Sequence, residues 1–372
     1  MSVSIQVGAQ IFGGWKSAEI NVGIEQLAGA FSLGCADTWA LKGENIPLLP
    51  GQTCAVKIYD VPVITGFIDA QIVSYSKNEH GVTIEGRDAT GDLVDSAAEV
   101  DGQGWKGRTL MQIAEDLCKP FGIPVSIDAN IGNAFAANIY KKRRKGLQGP
   151  TPHYDDPFDC QQINPCETVF DVLSRAARLR GCLLISDGVG GLRITTAGSE
   201  RATRTLQLGV DILKARSSNS HAERFHTYKV LGQQNQVYAP DGAAIVSQQI
   251  AATETDPAIR RGRVTVIDPI DQLDTATAQR LAQWARANRE ARGIRSELTV
   301  RGWRDGDRPW RANTIVRVVD SFSRLSGDYL IASVRFSIDD QAGEIATLTV
   351  TPPAAYVPQP DHETMPNLGF AS

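Results

Sequence analysis

Asp88, Asp92 and Asp95 lie close together in GRDATGDLVDSAAEV (86–100). On a helix, residues spaced i, i+4 and i+7 share one face, and three carboxylates so placed can hold a divalent ion or do acid–base work. The surroundings argue for a different use. The segment follows a run of alternating strands and contains no histidine or cysteine. Clustered carboxylates without such partners are more often structural than catalytic. The reading is a strand that ends near Arg87 and Asp88, followed by a short helix capped by Thr90 or Asp92, with Leu93 and Val94 tucked into the end of the β domain. No catalytic, cofactor-binding or metal-ligating residue is assigned, and no cofactor is expected. His221 and His226 would fall on opposite faces of a strand. Six cysteines form no CxxC pair, so free thiols are expected. Cys160 and Cys166 flank a proline-containing loop where they can form a disulfide or join His153 at a metal, but neither the spacing nor a fourth ligand supports zinc. GxSxG, HExxH and P-loop patterns are absent.

The elements that would position these residues read in three blocks. IPLLPGQTCAVKIYD, VPVITGFIDAQIVSYS and GVTIEGRD alternate apolar and polar residues, with Val56/Ile58 and Val82/Ile84 on single faces. They make a meander of short strands suited to a barrel or sandwich. Helical spacing then takes over in GRTLMQIAEDLCKPFGIPVSID, with Leu110, Ile113, Ala114 and Leu117 on one face, Thr109 as cap, and Pro120 and Gly122 as stop. NPCETVFDVLSRAARLRGCLLISD repeats the plan with Val169, Val172, Leu173, Ala176 and Leu179, ended by Gly181. CLLIS and GLRITT follow as a hairpin. From about residue 201 the chain returns to strands, among them HAERFHTYKVLGQ and GRVTVIDP. A long helix from about 274 to 291, capped by Asp274 or Thr275 and carrying Trp284, interrupts them.

The predicted class is β-rich α+β: two β-barrel domains flanking a small α/β domain. The predicted boundaries are 1–98 for the first barrel, 99–200 for the α/β domain with an insertion over 130–164, 201–352 for the second barrel, and 353–372 for a Pro-rich tail that needs another surface to become ordered. The insertion carries Lys141, Lys142, Arg143, Arg144 and Lys145, either a solvated loop or a contact for an acidic partner or DNA.

Composition narrows the function. The chain has 372 residues, 42% hydrophobic and 22% charged, with a formal net charge of −4. That balance gives no global basic field for wrapping nucleic acid. No apolar run reaches membrane-span length, so no membrane anchor is expected, and the N-terminus lacks the charged and apolar regions of a signal peptide.

An internal echo links the two ends. The stretch from Pro47 and the stretch from Pro309 each run through a turn and a V-x-[IV]-x-D strand, Val56/Ile58/Asp60 and Val316/Val318/Asp320. Each then has a Gly-containing loop and an outgoing strand with V-x-[YF]-S, Val73 and Tyr75 in one, Val334 and Phe336 in the other. Two related β units in one chain allow three chains to form a pseudo-sixfold ring.

Gly86, Arg87, Asp88, Thr90, Gly91, Asp92, Leu93, Val94, Asp95 and Ser96 form a G-R-[DS]-x-T-G-D-L-V-D-[CS] segment that resembles the Mu-like phage baseplate hub family, also called the tail protein P family. The second half is similar too: an Ala/Arg-rich helix with Trp284, RSELTVRGW ending at Trp303, a turn with Gly306, Pro309 and Trp310, then IVRVVD and LIASVRFS. The similarity spans about residues 3 to 356, and the insertion over 130–164 is the departure from it. The resemblance implies a non-enzymatic homotrimer whose barrels match tail-tube subunits. It would sit between the tube, or a tube-initiator ring, and a central spike, among other baseplate proteins. Tape-measure protein and, transiently, DNA would occupy the channel. It would be a virion protein of the tail baseplate, assembled in the host cytoplasm. Arg87, the three aspartates, Trp284, Trp303, Trp310 and the basic loop are structural or interface candidates. The T-L-x-x-I-A pattern from Thr109 to Ala114 also occurs in LysM-type modules, which leaves a peptidoglycan-binding or lytic tail-tip protein as the second reading.

Overall fold

The computed structural model describes residues 2–36, 48–76, 80–100, 104–128, 158, 161–198, 200–232, 237–238, 244–245, 249–268, 275–339 and 343–357. Lys141, Lys142, Arg143, Arg144, Lys145, His153, Cys160, Asp274 and the tail beyond Val357 lie outside the described residues.

The first block forms β1 (Val3–Val7), β2 (Gln10–Gly13), β3 (Ser17–Gly23), β4 (Ala30–Ala36), β5 (Thr53–Ile58), β6 (Val61–Tyr75) and β7 (His80–Asp88). In β5, Cys54, Val56 and Ile58 are buried while their neighbours are not, which is the period of two a half-buried strand requires. A short α1 (Gly91–Asp95) leaves β7.

The middle block holds β8 (Gly104–Trp105), α2 (Leu110–Cys118), β9 (Val125–Ile127), β10 (Gln161–Gln162), α3 (Val169–Leu179), β11 (Leu183–Ser186) and β12 (Leu192–Thr195). Both longer helices begin with a capping box. Thr109 Oγ1 accepts the Gln112 N–H while Gln112 accepts the Thr109 N–H, and Thr168 and Asp171 repeat the exchange. Gly122 and Gly181 take the left-handed conformation after them, at φ +67° and +68°. β12 pairs antiparallel with β11 and parallel with β9. The apolar faces of α2 and α3 meet this sheet in one core with Leu27, Leu93 and Trp105.

The last block runs β13 (Glu200–Gln207), β14 (Ile212–Asn219), β15 (Thr227–Gly232), β16 (Val237–Tyr238), β17 (Ala244–Ile245), β18 (Gln249–Thr255), β19 (Val264–Ile267), α4 (Thr275–Arg292), β20 (Ile294–Arg301), β21 (Arg304–Asp305), β22 (Arg308–Pro309), β23 (Thr314–Asp320), β24 (Leu325–Asp339) and β25 (Gly343–Thr351). The strand around the two histidines starts only at Thr227. His221 and His226 therefore precede it, and His226 Nδ1 lies 3.0 Å from the Asp256 carbonyl. α4 packs on the sheet β18-β15-β19 through Ala278, Leu281 and Ala282.

The two β blocks share a strand order. The first reads β3-β4-β7-β6-β5 and the second β14-β20-β25-β24-β23, every neighbour antiparallel. The long outgoing strands β6 and β24 have 15 residues each, and the closing strands β7 and β25 have nine each. A sixth strand flanks each set, β1 antiparallel to β5 and β13 parallel to β23. The layer β15 to β19 with α4 is inserted between β14 and β20, where the first unit has only the loop between β3 and β4.

The predicted β-rich class holds, and the arrangement differs in one respect. Among the described residues neither unit closes on itself as a barrel. The units instead join edge to edge, with β24 pairing antiparallel to β3 from Ser333↔Gly23 to Ile338↔Ala18, so that one 13-stranded sheet runs through both. One apolar core also spans them, from Ile5 and Ile20 to Trp303, Phe336 and Leu348. The outer edge of β3 is satisfied by the other unit rather than by its own, because β24 is long enough to serve β23 with one half and β3 with the other.

Candidate functional site: the junctions between units

The aspartate segment is where the first β unit meets the α/β unit. Asp88 ends a strand and not a helix, so the i, i+4, i+7 geometry does not arise. Its carboxylate is 2% exposed and turned inward. Oδ1 accepts the Thr90 backbone N–H at 3.0 Å and the Thr90 hydroxyl at 2.8 Å, and Oδ2 accepts the Ser186 hydroxyl of β11 at 2.8 Å. Burial pushes this carboxyl up, against the opposing pull of those hydrogen bonds. Thr90 occupies the cap position of α1, but its hydroxyl serves Asp88 and no helix N–H, which corrects the expected cap. Asp92 sits in the first turn of α1. Leu93 is fully buried in the core of the α/β unit and not in the end of the β sheet, and Val94 is 38% exposed. Arg87 points outward, bonded to Asp69 and Asp95 at 2.8 Å each. The three aspartates therefore share no partner: Asp88 serves Thr90 and Ser186, Asp95 serves Arg87, and Asp92 lies in the first turn of α1. No group of three His, Cys, Asp or Glu side chains that could hold a metal ion occurs among the described residues.

A second junction holds the two β units together around the β3–β24 ladder, and sequence reasoning missed it. Glu25, in the loop between β3 and β4, accepts both guanidinium arms of Arg295 from β20, at 2.6 and 2.8 Å, and the Tyr356 hydroxyl at 2.5 Å. Arg295's hydrogen bonds hold the Glu25 carboxyl below its usual range. Tyr59, between β5 and β6, hydrogen-bonds Glu344 of β25 and lies under the Arg304 guanidinium, 4.0 Å from its ring centre. Burial, then Glu344, pushes this phenol up to about 12. Trp303 stands behind it, fully buried, its ring 6.4 Å from Tyr59 and 5.8 Å from Phe336, and its indole N–H reaches the Ile345 carbonyl at 2.9 Å.

Trp303 and Trp310 are thus core residues. Trp310 is 1% exposed, with Arg204 5.5 Å from its ring. Trp284 lies on α4 and donates to the Val357 carbonyl at 3.0 Å, while Asn288 donates to the carbonyls of Ala354 and Ala355, so α4 receives the start of the C-terminal tail. A cleft of about 520 Å³ beside these contacts has Glu223, Arg289 and Arg292 as its charged lining, with Phe225 at its wall. Among the described residues it brings no pair of carboxylates together. Arg224 and Asp256, next to β15 and β18 of the inserted layer, form a nearly fully buried ion pair at 2.7 Å, with no local sequence signal to announce it. Cys166 is a free, exposed thiol. Leu110, Ile113 and Ala114 of the T-L-x-x-I-A pattern are all fully buried and Thr109 is the cap, so packing accounts for that pattern.

The chain is an open, duplicated sheet with an α/β unit at one junction, its chemistry-bearing residues used as ties. Models of phage baseplate proteins match along the chain: "Mu phage baseplate assembly protein GpP-like, N-terminal" over residues 2–88, "Baseplate hub protein gp44-like, second domain" over 90–141 and 152–196, and "Mu phage baseplate assembly protein GpP, fourth domain" over 274–359. The chain belongs to the Mu-like phage baseplate hub family. It is 29% identical to the baseplate hub protein gp44 of Escherichia phage Mu in a 364-residue alignment that covers 94% of this chain and 88% of that protein. The 43 kDa tail protein of prophage MuSo2 from Shewanella oneidensis is 31% identical, with a TM-score of 0.76 over 96% of this chain and 99% of that one. A tail protein from Neisseria meningitidis MC58 shares the fold at 21% identity, with a TM-score of 0.74 over 97% and 99% of the two chains.

Proposed function

We propose that this chain is the structural hub of a phage-tail baseplate, in which three copies close a ring that adapts the sixfold tail tube to a threefold central spike. The two β units, within 1–98 and 201–352, act as tube-protein-like modules. The α/β unit at 99–200 braces the first of them, and the tail at 353–372 extends the contact surface. The tube or a tube-initiator ring stacks on one face and the spike on the other, with further baseplate proteins around the rim. The central hole passes tape-measure protein and then DNA. The work is geometric and requires no catalysis, and the protein resides in the virion after assembly in the host cytoplasm.

The observation that carries this reading is the repeated strand order joined through β3 and β24. Two equivalent units per chain let a threefold assembly offer six similar surfaces. Electron microscopy of the purified assembly tests it. End-on views are expected to show a hole ringed by six β lobes with threefold differences between alternate lobes. Views with six identical lobes, or with no hole, would count against the reading.

A further inference from the structure

The described part of the chain ends against α4. The carbonyls of Ala354 and Ala355 accept from Asn288 at 3.0 Å, and one helical turn back the Val357 carbonyl accepts from Trp284 at 3.0 Å. The cleft of about 520 Å³ lies along the same helix. Leu281 and Trp284 line it toward one end, Arg289 and Arg292 toward the other, and Phe225 and Ile267 come to it from outside the helix. The Phe225 ring has the guanidinium groups of Arg289 and Arg263 at 4.9 and 5.2 Å from its centre. Among the described residues the lining is therefore apolar with a cationic excess, two arginines against Glu223.

We propose that this cleft is the seat of the chain's own C-terminal tail, residues 358–372, which lie outside the described residues. The tail starts at the rim, because Trp284 both lines the cleft and holds Val357. It carries Asp361 and Glu363 and no Lys or Arg, which complements the arginines of the lining. Met365, Leu368 and Phe370 supply apolar side chains for the surface of Leu281, Ile267 and Phe225. Pro358, Pro360 and Pro366 deny the segment a helix of its own, so a surface has to order it. The reach suffices. Arg289 and Arg292 lie about 8 and 12 Å along α4 from Trp284, and an extended chain covers about 3.3 Å per residue. Tethering at the rim also gives this segment a higher effective concentration than a free partner has. Seated there, the tail becomes part of the surface that α4 and its sheet present. The contact lies within one chain, so its test is read separately from that of the ring.

The test is photocrosslinking in the full chain, with p-benzoylphenylalanine in place of Leu368 in one variant and of Phe370 in another. Both positions lie beyond Val357, so the packed core is left intact. Illumination is expected to join the tail to residues 222–225 or 281–292, located by peptide mass spectrometry, in a product that runs as a single chain on a denaturing gel. Asp361→Lys with Glu363→Lys in the same background is expected to lower the yield several-fold. A product at twice the chain mass, joined to the same segments, assigns the cleft to a neighbouring copy's tail and overturns the seat within one chain. Joining to other segments, or no joining at either position, overturns the seat altogether. A yield unchanged by the two lysines overturns the charge match on which it stands.

Discussion

Asp88 shows what the carboxylates of the aspartate segment do. It is a buried acceptor at the point where β7, α1 and β11 meet, and its three donors come from Thr90 and Ser186. Asp88→Asn keeps an acceptor for Thr90, and the Ser186 hydroxyl can turn to accept from the new amide. The expected change at neutral pH is within about 1 kcal/mol, whereas Asp88→Leu strands buried donors and costs about 2–3 kcal/mol. The pH dependence has a definite sign. Burial raises the folded-state pKa above 3.8, so the folded chain holds this proton more tightly than the unfolded chain. The stabilising contribution is complete below 3.8 and is lost as pH rises through the raised value. Wild type should therefore gain on Asp88→Asn as the pH falls toward 3.8, measured by urea unfolding of both. A gap that does not move with pH would show that Asp88 does not titrate as a buried carboxyl.

The elements divide into those whose cause is local and those whose cause is distant. α2 and α3 were legible because cap, apolar stripe and terminating glycine all lie within one stretch of sequence, and the structure contains each of them. The strands of both meanders were legible from their alternation. Their closure was not, because an edge strand's partner depends on which other edge lies open, and β3 and β24 are some 300 residues apart in sequence. The same distance hid Glu25, Arg295 and Tyr356, three ordinary surface residue types that only the fold brings together. The tryptophans stood open between a structural and an interface role, and the fold buries Trp303 and Trp310 in the core. Within the aspartate segment the two glycines differ in what they permit. A Cβ on Gly86 would lie 2.2 Å from the Phe67 carbonyl oxygen and 2.6 Å from the Phe31 ring, while one on Gly91 would meet nothing nearer than 3.6 Å. Gly86→Ala should therefore cost about 3 kcal/mol and Gly91→Ala under about 1 kcal/mol, read from denaturant midpoints. Equal effects would mean that the β6–β7–β4 crossing is not packed as described.

At the scale of the whole molecule, one sheet carries two equivalent units, and the second unit holds an added layer with α4 between its first two strands. This asymmetry is what a threefold object needs if it is to look sixfold at one face and threefold elsewhere. In the proposed ring the similar strands would supply the first property, and the α/β unit and the inserted layer the second. The ties across the joint are half-exposed ion pairs such as Glu25–Arg295, worth about 1 kcal/mol or less each, so the angle between units is held chiefly by the β3–β24 ladder and the shared core. The ring is the claim on which the rest depends, and the mass of the purified chain in solution tests it most directly. Light scattering across a range of concentrations should give three times the 40.2 kDa of one chain, with no rise beyond it because a closed ring has no edge left to extend. A single-chain mass at every concentration, or a mass that climbs without limit, would contradict it.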